Sequence, residues 1–343
     1  MHHRTFYYLF LAVLCFSGCM KNNVIYSDHA SDLFWVSNNG ADMPVWVKGN
    51  TNSNVVLLII HGGPGEGAYD FSGIETQELQ KRYAVAFWDQ RDAGASAGTN
   101  NLPQLSLPSM VNDMDVVVKT LHYRYQNASL FILAHSFGGL LASAYLTTDS
   151  NQQQVKGFID MDGAHNYPLC NSLSRQMLID TGTNQINKGI NVDQWSEIVN
   201  YTKSNNPLTS YDVSSKTEQY AHSAEGLMGV KRNNSTSMFI PEDPISNLSN
   251  YFIQYYSSTG INFQKSLEQA NYSNALNNLK APTLLLWGQY DFTVPIGVAN
   301  DALAHLSSSY KKIVLFPHSG HRPIETEPQN VQAEISGFIE QFK

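Results

Sequence analysis

Residues 129–146 read SLFILAHSFGGLLASAYL. The first half is a short apolar run of the kind a strand covered on both faces shows, and the second half, GGLLASAYL, reads as a helix. Between them lies AHSFG, residues 134–138. A strand that turns sharply into a helix with a serine at its apex is the context a nucleophile elbow needs. Such a turn brings together the residues two before and two after the serine, so both must be small. Ala134 and Gly138 meet that demand around Ser136. The same pattern also fits a buried serine that merely starts a helix, so the rest of the chain has to separate the two readings.

Strand-like and helix-like stretches alternate on both sides of the elbow. LFWVSN and MPVWVKG flank the turn signal NGAD and read as an antiparallel hairpin. VVLLII (55–60) is continuously apolar, residues 67–82 are amphipathic, and YAVAFWDQ is strand-like. LPSMVNDMDVVVKTLHYRY carries Met110, Met114, Val117, Val118 and Leu121 at helical spacing, with Pro108 near its start. VKGFIDMDG is a further strand. The alternation resumes with PTLLLWGQYD, IGVANDALAHL, KKIVLFPHSG and a last helix ending near Phe342. This order predicts an α/β fold, a mostly parallel eight-stranded sheet with helices on both faces. Residues 164–280 are too long for an ordinary connection. They contain helical stretches of their own and read as an inserted helical cap. The core is expected over 32–163 and 281–343.

A serine hydroxyl needs a base, and histidine titrates close to neutrality. FPHSGHRP, after the last strand, offers His318 and His321. His321 lies on the loop before the final helix and is the better placed of the two. LLLWGQYDFTVP ends a strand with Gly288 at the turn and Asp291 three residues on, at a carboxyl end where open α/β sheets gather functional groups. Asp291 also suits a turn or helix cap. As acid, it completes the chain order Ser136, Asp291, His321. An oxyanion formed at Ser136 needs backbone N–H donors. Phe137, next to the serine, supplies one. HGGPG (61–65) supplies the other, assigned to Gly63, because glycines admit close backbone approach and Pro64 stiffens the loop. A glycine-rich turn of this kind also suits phosphate, but no P-loop lysine follows it.

The 343 residues are 42% hydrophobic and 15% charged, with a net charge of −8. An acidic chain without basic clusters is a poor partner for nucleic acid. Eleven histidines are scattered without ligand spacing, so neither metal nor cofactor is expected. The N-terminus pairs a basic Arg4 with an apolar Phe6–Phe16 run, shorter than the ~20 residues of a spanning helix. It ends in FSGC, similar to a lipobox. This predicts a lipoprotein signal peptide over 1–18, lipidation of Cys19 and a polar tether over 19–31. An ordinary cleaved signal and an uncleaved anchor are the alternatives. With Cys15 discarded and Cys19 lipidated, Cys170 is left alone and no disulfide framework forms. The expected location is the bacterial cell envelope, with the body lipid-anchored to a membrane outside the cytoplasm.

On these motifs the chain resembles the α/β-hydrolase superfamily, in particular its prolyl aminopeptidase branch. HGGPG is similar to that branch's oxyanion loop. WDQRDAGAS (88–96) resembles its DQRGxGxS segment, with Asp92 in place of a glycine. The resemblance implies a serine hydrolase that cleaves an ester or amide of a small-molecule or peptide substrate through an acyl-enzyme. Ala134 and Phe137 depart from the branch's usual Gly and Trp, and MDGAHNY replaces an arginine-containing segment. The branch holds a substrate's free amine with cap glutamates. Glu197, Glu218, Glu225 and Glu242 stand in the cap here, in settings that read as solvated helix faces. Tyr220, Phe252, Tyr255 and Tyr256 are expected to serve mainly the cap's own core. A carboxylesterase or acylase, and a non-catalytic binding protein on the same fold, remain as alternatives. The sequence is silent on oligomeric state.

Overall fold

The computed structural model describes residues 32–73, 75–97, 105–206, 210–231 and 247–343. The N-terminal signal, Cys19 and Glu242 lie outside them. Eight strands form one sheet: β1 (Asp32–Asn38), β2 (Ala41–Gly49), β3 (Val55–Ile60), β4 (Ala84–Trp88), β5 (Ser129–His135), β6 (Gly157–Met161), β7 (Thr283–Gly288) and β8 (Lys311–Phe316). Their order is β1-β2-β4-β3-β5-β6-β7-β8. The β1–β2 and β2–β4 pairs are antiparallel, and every pairing from β4–β3 to β7–β8 is parallel. The hairpin turns at Asn39 and Gly40, both at positive φ, as its turn residues require.

The helices in chain order are α1 (Gln77–Arg82), α2 (Leu107–Arg124), α3 (Phe137–Leu146), α4 (Tyr167–Asn187), α5 (Val192–Ser204), α6 (Tyr211–Leu227), α7 (Leu248–Tyr256), α8 (Ser258–Leu267), α9 (Ile296–His305), α10 (Pro323–Thr326) and α11 (Pro328–Phe342). The all-apolar β3 is explained by its two covered faces. Val56, Leu58 and Ile60 join one core with Met114, Val117, Leu140 and Val298. Leu57 and Ile59 join the other with Leu79, Val331, Ile335 and Phe338. Residues 67–82, amphipathic by pattern, form a short turn of helix at Ala68–Phe71 and the six-residue α1 rather than one helix.

Helices α4 to α8 lie between β6 and β7. Leu178, Trp195, Ile198, Tyr220, Ala221 and Ala224 form a separate apolar cluster there, and Phe292 packs into it from the loop after β7. Tyr220 thus serves the insertion's own core. Phe252 and Tyr256 are exposed, contrary to the expectation for them. The insertion is fastened to the loop after β4 by α7. Asn250 Nδ2 donates to the carbonyls of Ala93, Gly94 and Ser96, and the Asn247 N–H donates to Gly94.

Candidate active site

The sheet delivers three side chains to one edge, because β5, β7 and β8 run parallel and end together. Ser136 follows β5 with φ 54° and ψ −121°. This backbone is strained for a residue with a side chain, and such strain persists only where the surroundings fix it. Here the Ser136 N–H donates to the Met161 carbonyl at 3.2 Å, and its own carbonyl accepts from Gly139 and Ala164 at 2.9 and 3.0 Å. A Cβ at Gly138 would strike the carbonyl oxygens of Ile60 and His61, which is why the elbow requires a glycine there.

His321 stands on the loop after β8. Its Nδ1–H donates to Asp291 Oδ2 at 2.8 Å, leaving Nε2 to accept the Ser136 hydroxyl at 2.9 Å. The other oxygen of Asp291 accepts the N–H groups of Thr293 and Val294 at 2.8 and 2.7 Å. Asp291 is fully buried and His321 nearly so. Burial pulls the imidazole pKa down. The charge and hydrogen bond of Asp291, helped by Glu225 and Glu218, outweigh it, so the net shift is upward. The structure thus brings Ser136, His321 and Asp291 into one hydrogen-bonded chain. His318 stands apart, with its N–H on Glu327 at 2.9 Å.

The HGGPG loop runs along the same edge. The Gln90 N–H donates to His61 Nε2 at 3.2 Å, so Nδ1 donates to the Gly62 carbonyl at 2.8 Å. Burial lowers the His61 pKa to about 4, which keeps the ring neutral. Asp89 accepts the N–H of Ala68 at 2.8 Å and of Ala95 at 2.6 Å, bracing the two loops together. Gly63, at φ 109°, lines a cavity of about 170 Å3 together with Ser136. Phe137 is the first residue of α3, so its N–H has no intrahelical acceptor. Asp92 sits at φ 54°, in the left-handed region that favours glycine.

Most of the rest of the cavity wall comes from the insertion, with Thr293 and Val294 added by the loop after β7. Asn171, Ser174, Ser214, Thr217, Glu218 and Glu268 give it polar groups beside apolar ones such as Leu267 and Val294, and among the described residues no Lys or Arg lines it. Of the cap glutamates, Glu225 departs from the expectation of a solvated helix face, whereas Glu218 keeps to it. Glu218 keeps 61% of its side-chain surface accessible, but it lines the cavity. Glu225 is 2% exposed and accepts the His321 N–H at 3.0 Å. Glu197 accepts the Tyr220 hydroxyl at 2.8 Å, away from the cavity.

Asp162, at the end of β6, is a further carboxyl that the sequence did not single out. It accepts the Gly288 N–H at 3.0 Å, and burial and the Asp291 charge push its pKa well up. His135, Asp162 and His321 bring ligand-type atoms within 4.8 Å of one another. Both ring nitrogens of His321 are engaged by Asp291 and Ser136, and His135 Nε2 donates to the His321 carbonyl at 3.0 Å.

Comparison with known proteins agrees with this architecture. A probable aminopeptidase of Bacillus subtilis is 21% identical over 82% of this chain and 88% of its own length. A proline iminopeptidase of Saccharolobus solfataricus is 24% identical over 86% and 87%. The crystal structure of a proline iminopeptidase of Mycobacterium smegmatis superposes with a TM-score of 0.65 at 14% identity, covering 91% of this chain and 98% of that one. The model of the alpha/beta hydrolase fold matches residues 55–328, which span the elbow, the acid loop and the histidine loop, and the chain belongs to that family.

Proposed function

We propose that this protein is a serine hydrolase that opens an ester or amide bond through an acyl-enzyme, with Ser136 as nucleophile. The observation that carries this reading is the unbroken chain from Ser136 Oγ through His321 to Asp291, with links of 2.9 and 2.8 Å. His321 Nε2 takes the hydroxyl proton as Oγ attacks the carbonyl carbon, then returns it to the leaving group. Asp291 holds the tautomer with Nε2 free and stabilises the imidazolium. The amides of Gly63 and Phe137 receive the oxyanion, and one such donor is worth about 2.7–4 kcal/mol in the transition state. Water then cleaves the acyl-enzyme by the same route.

The lining supports a substrate with a free amine, because Glu218 and Glu268 face the cavity and, among the described residues, no Lys or Arg lines it. This favours an aminopeptidase-like activity, as the names of the relatives suggest for those proteins. The second reading, a carboxylesterase or acylase without aminopeptidase activity, is favoured by Glu225, whose carboxylate is committed to a backbone amide. The insertion between β6 and β7 acts in both as the cap over the substrate. Cys19 is proposed as the lipidated residue of an envelope lipoprotein. Among the described residues no helix is long and apolar enough to cross a membrane.

Residues 20–343 assayed with a proline anilide and a short-chain nitrophenyl ester separate these readings. Ser136→Ala is expected to lower turnover on the order of 10^4-fold or more. Release from both substrates supports the aminopeptidase reading, and release from the ester alone supports the esterase. Absence of fluorophosphonate labelling at Ser136 overturns both. Cys19→Ser in the full chain is expected to move the protein from the membrane to the soluble fraction; an unchanged distribution refutes the anchor.

A further inference from the structure

His321 is held through its main chain as well as its ring, and the two main-chain bonds come from opposite directions. Its carbonyl accepts His135 Nε2–H at 3.0 Å, from the residue immediately before Ser136. Its N–H donates to Glu225 Oε1 at 3.0 Å, from α6 of the insertion, 96 residues away in the chain. The approach of Glu225 depends on Gly320, where a Cβ would lie 2.5 Å from the Glu225 Cδ. Gly288 at the end of β7 packs in turn on the Gly320 carbonyl and has no room for a side chain either. Strand end and histidine loop are thus in backbone contact, and only the Glu225 side chain stands between that loop and α6. In EQYAHSAE, residues 218–225, the spacing i, i+4, i+7 puts Glu218, His222 and Glu225 on one face of α6. That face meets His321, with the His222 and His321 rings 6.5 Å apart.

We propose that Glu225 is a positioning residue for His321: from the insertion, its carboxylate fixes the loop that presents the imidazole to Ser136. This rests on the serine-hydrolase reading above. Two consequences follow. The hydrogen bond sets the distance from Nε2 to Oγ, so losing it lowers kcat for every substrate alike. The charge acts on the imidazole in company with the other groups that face it. These are Asp291 after β7, Asp162 after β6, His135 on β5, Glu66 and Arg322 on the adjoining loops, and Glu218 and His222 on α6. Glu225 is one of the carboxylates that raise the His321 pKa, so removing its charge moves the acidic limb of kcat/KM to lower pH.

The test compares Glu225→Gln, Glu225→Ala and Glu225→Asp with the parent. The substrates are a nitrophenyl ester and a proline anilide, with the rate of Ser136 labelling by a fluorophosphonate alongside. Glutamine keeps the acceptor and removes the charge. Its plateau kcat is expected within about threefold of the parent, with the acidic limb shifted down by roughly half a pH unit. Alanine and the shorter aspartate lose the bond, and each is expected to lower kcat and labelling by about 10- to 100-fold with little change in KM. Where alanine fails to fold, the glutamine and aspartate pair carries the comparison. A KM defect confined to the free-amine substrate, with ester turnover and labelling intact, would mean that Glu225 reads the substrate and would overturn the proposal. So would variants that match the parent in kcat, labelling and pH profile. A parent whose Ser136 takes no label defeats the serine-hydrolase reading itself, a result distinguishable from either.

Discussion

At Ser136 the backbone stores strain of order 1–3 kcal/mol, held by bonds to Met161, Gly139 and Ala164. It aims the hydroxyl at an imidazole whose pKa is raised above its ordinary value of 6.5. On the serine-hydrolase reading the base must be neutral to accept a proton, so activity is expected to fall as pH drops through that raised value. The acidic limb of kcat/KM is therefore expected above pH 6.5, and a limb well below it would show that His321 is not the base. The same shift acts on stability in the opposite sense. A raised histidine pKa stabilises the folded state most below the unfolded value, and this is lost as pH rises through the folded one. Ser136, Asp291 and His321 were legible in the sequence because each lies at a strand end and their order is constrained. Glu218 and Glu225 were not. Their face of α6 has the polarity of a solvated surface, and nothing local tells that the His321 loop lies across from it.

Among elements, the strands were easiest to read, since a parallel strand buried on both faces leaves a continuous apolar run. Residues 67–82 were harder. Their amphipathic pattern left the element open, and the chain there is held by Asp89 taking the Ala68 N–H and by the brace from His61 to Gln90. The attachment of α7 shows how much one side chain can carry. Asn250 is buried and offers one amide to three carbonyls of the loop after β4. Asn250→Ala takes this donor from the Ala93 and Ser96 carbonyls, while Gly94 keeps the Asn247 N–H, and is expected to destabilise the protein by about 1–3 kcal/mol. A urea midpoint equal to the parent's would refute this. Tyr255, on the same helix, donates to the Pro64 carbonyl at 3.3 Å, so the loss is expected to loosen the HGGPG loop as well.

For the whole molecule, buried titratable groups set a pH dependence distinct from that of catalysis. Burial raises Asp92 to about 6, Asp89 to about 7 and Asp160 to about 8. Each binds its proton more tightly when folded. Its contribution is full below the unfolded value of 3.8 and is lost as pH rises through the folded value. His61, lowered to about 4, works in reverse: its contribution is present above 6.5 and is lost as pH falls toward 4. Above pH 6.5 His61 has nothing further to give, while Asp89, Asp160 and His321 still lose. Unfolding free energy is therefore expected to drop by roughly 1–3 kcal/mol between pH 6.5 and 8.5. Urea titrations at the two values check it, and a rise would refute it.

The triad and its support are assembled from remote parts of the chain. Ser136 and His321 are 185 residues apart, and Glu225 and His321 are 96 apart. Contacts of such span form slowly, because long loops must close before they are rewarded. On the serine-hydrolase reading, a chain whose long loops have not yet closed holds the serine apart from its base, so competence to hydrolyse arrives only with the finished fold.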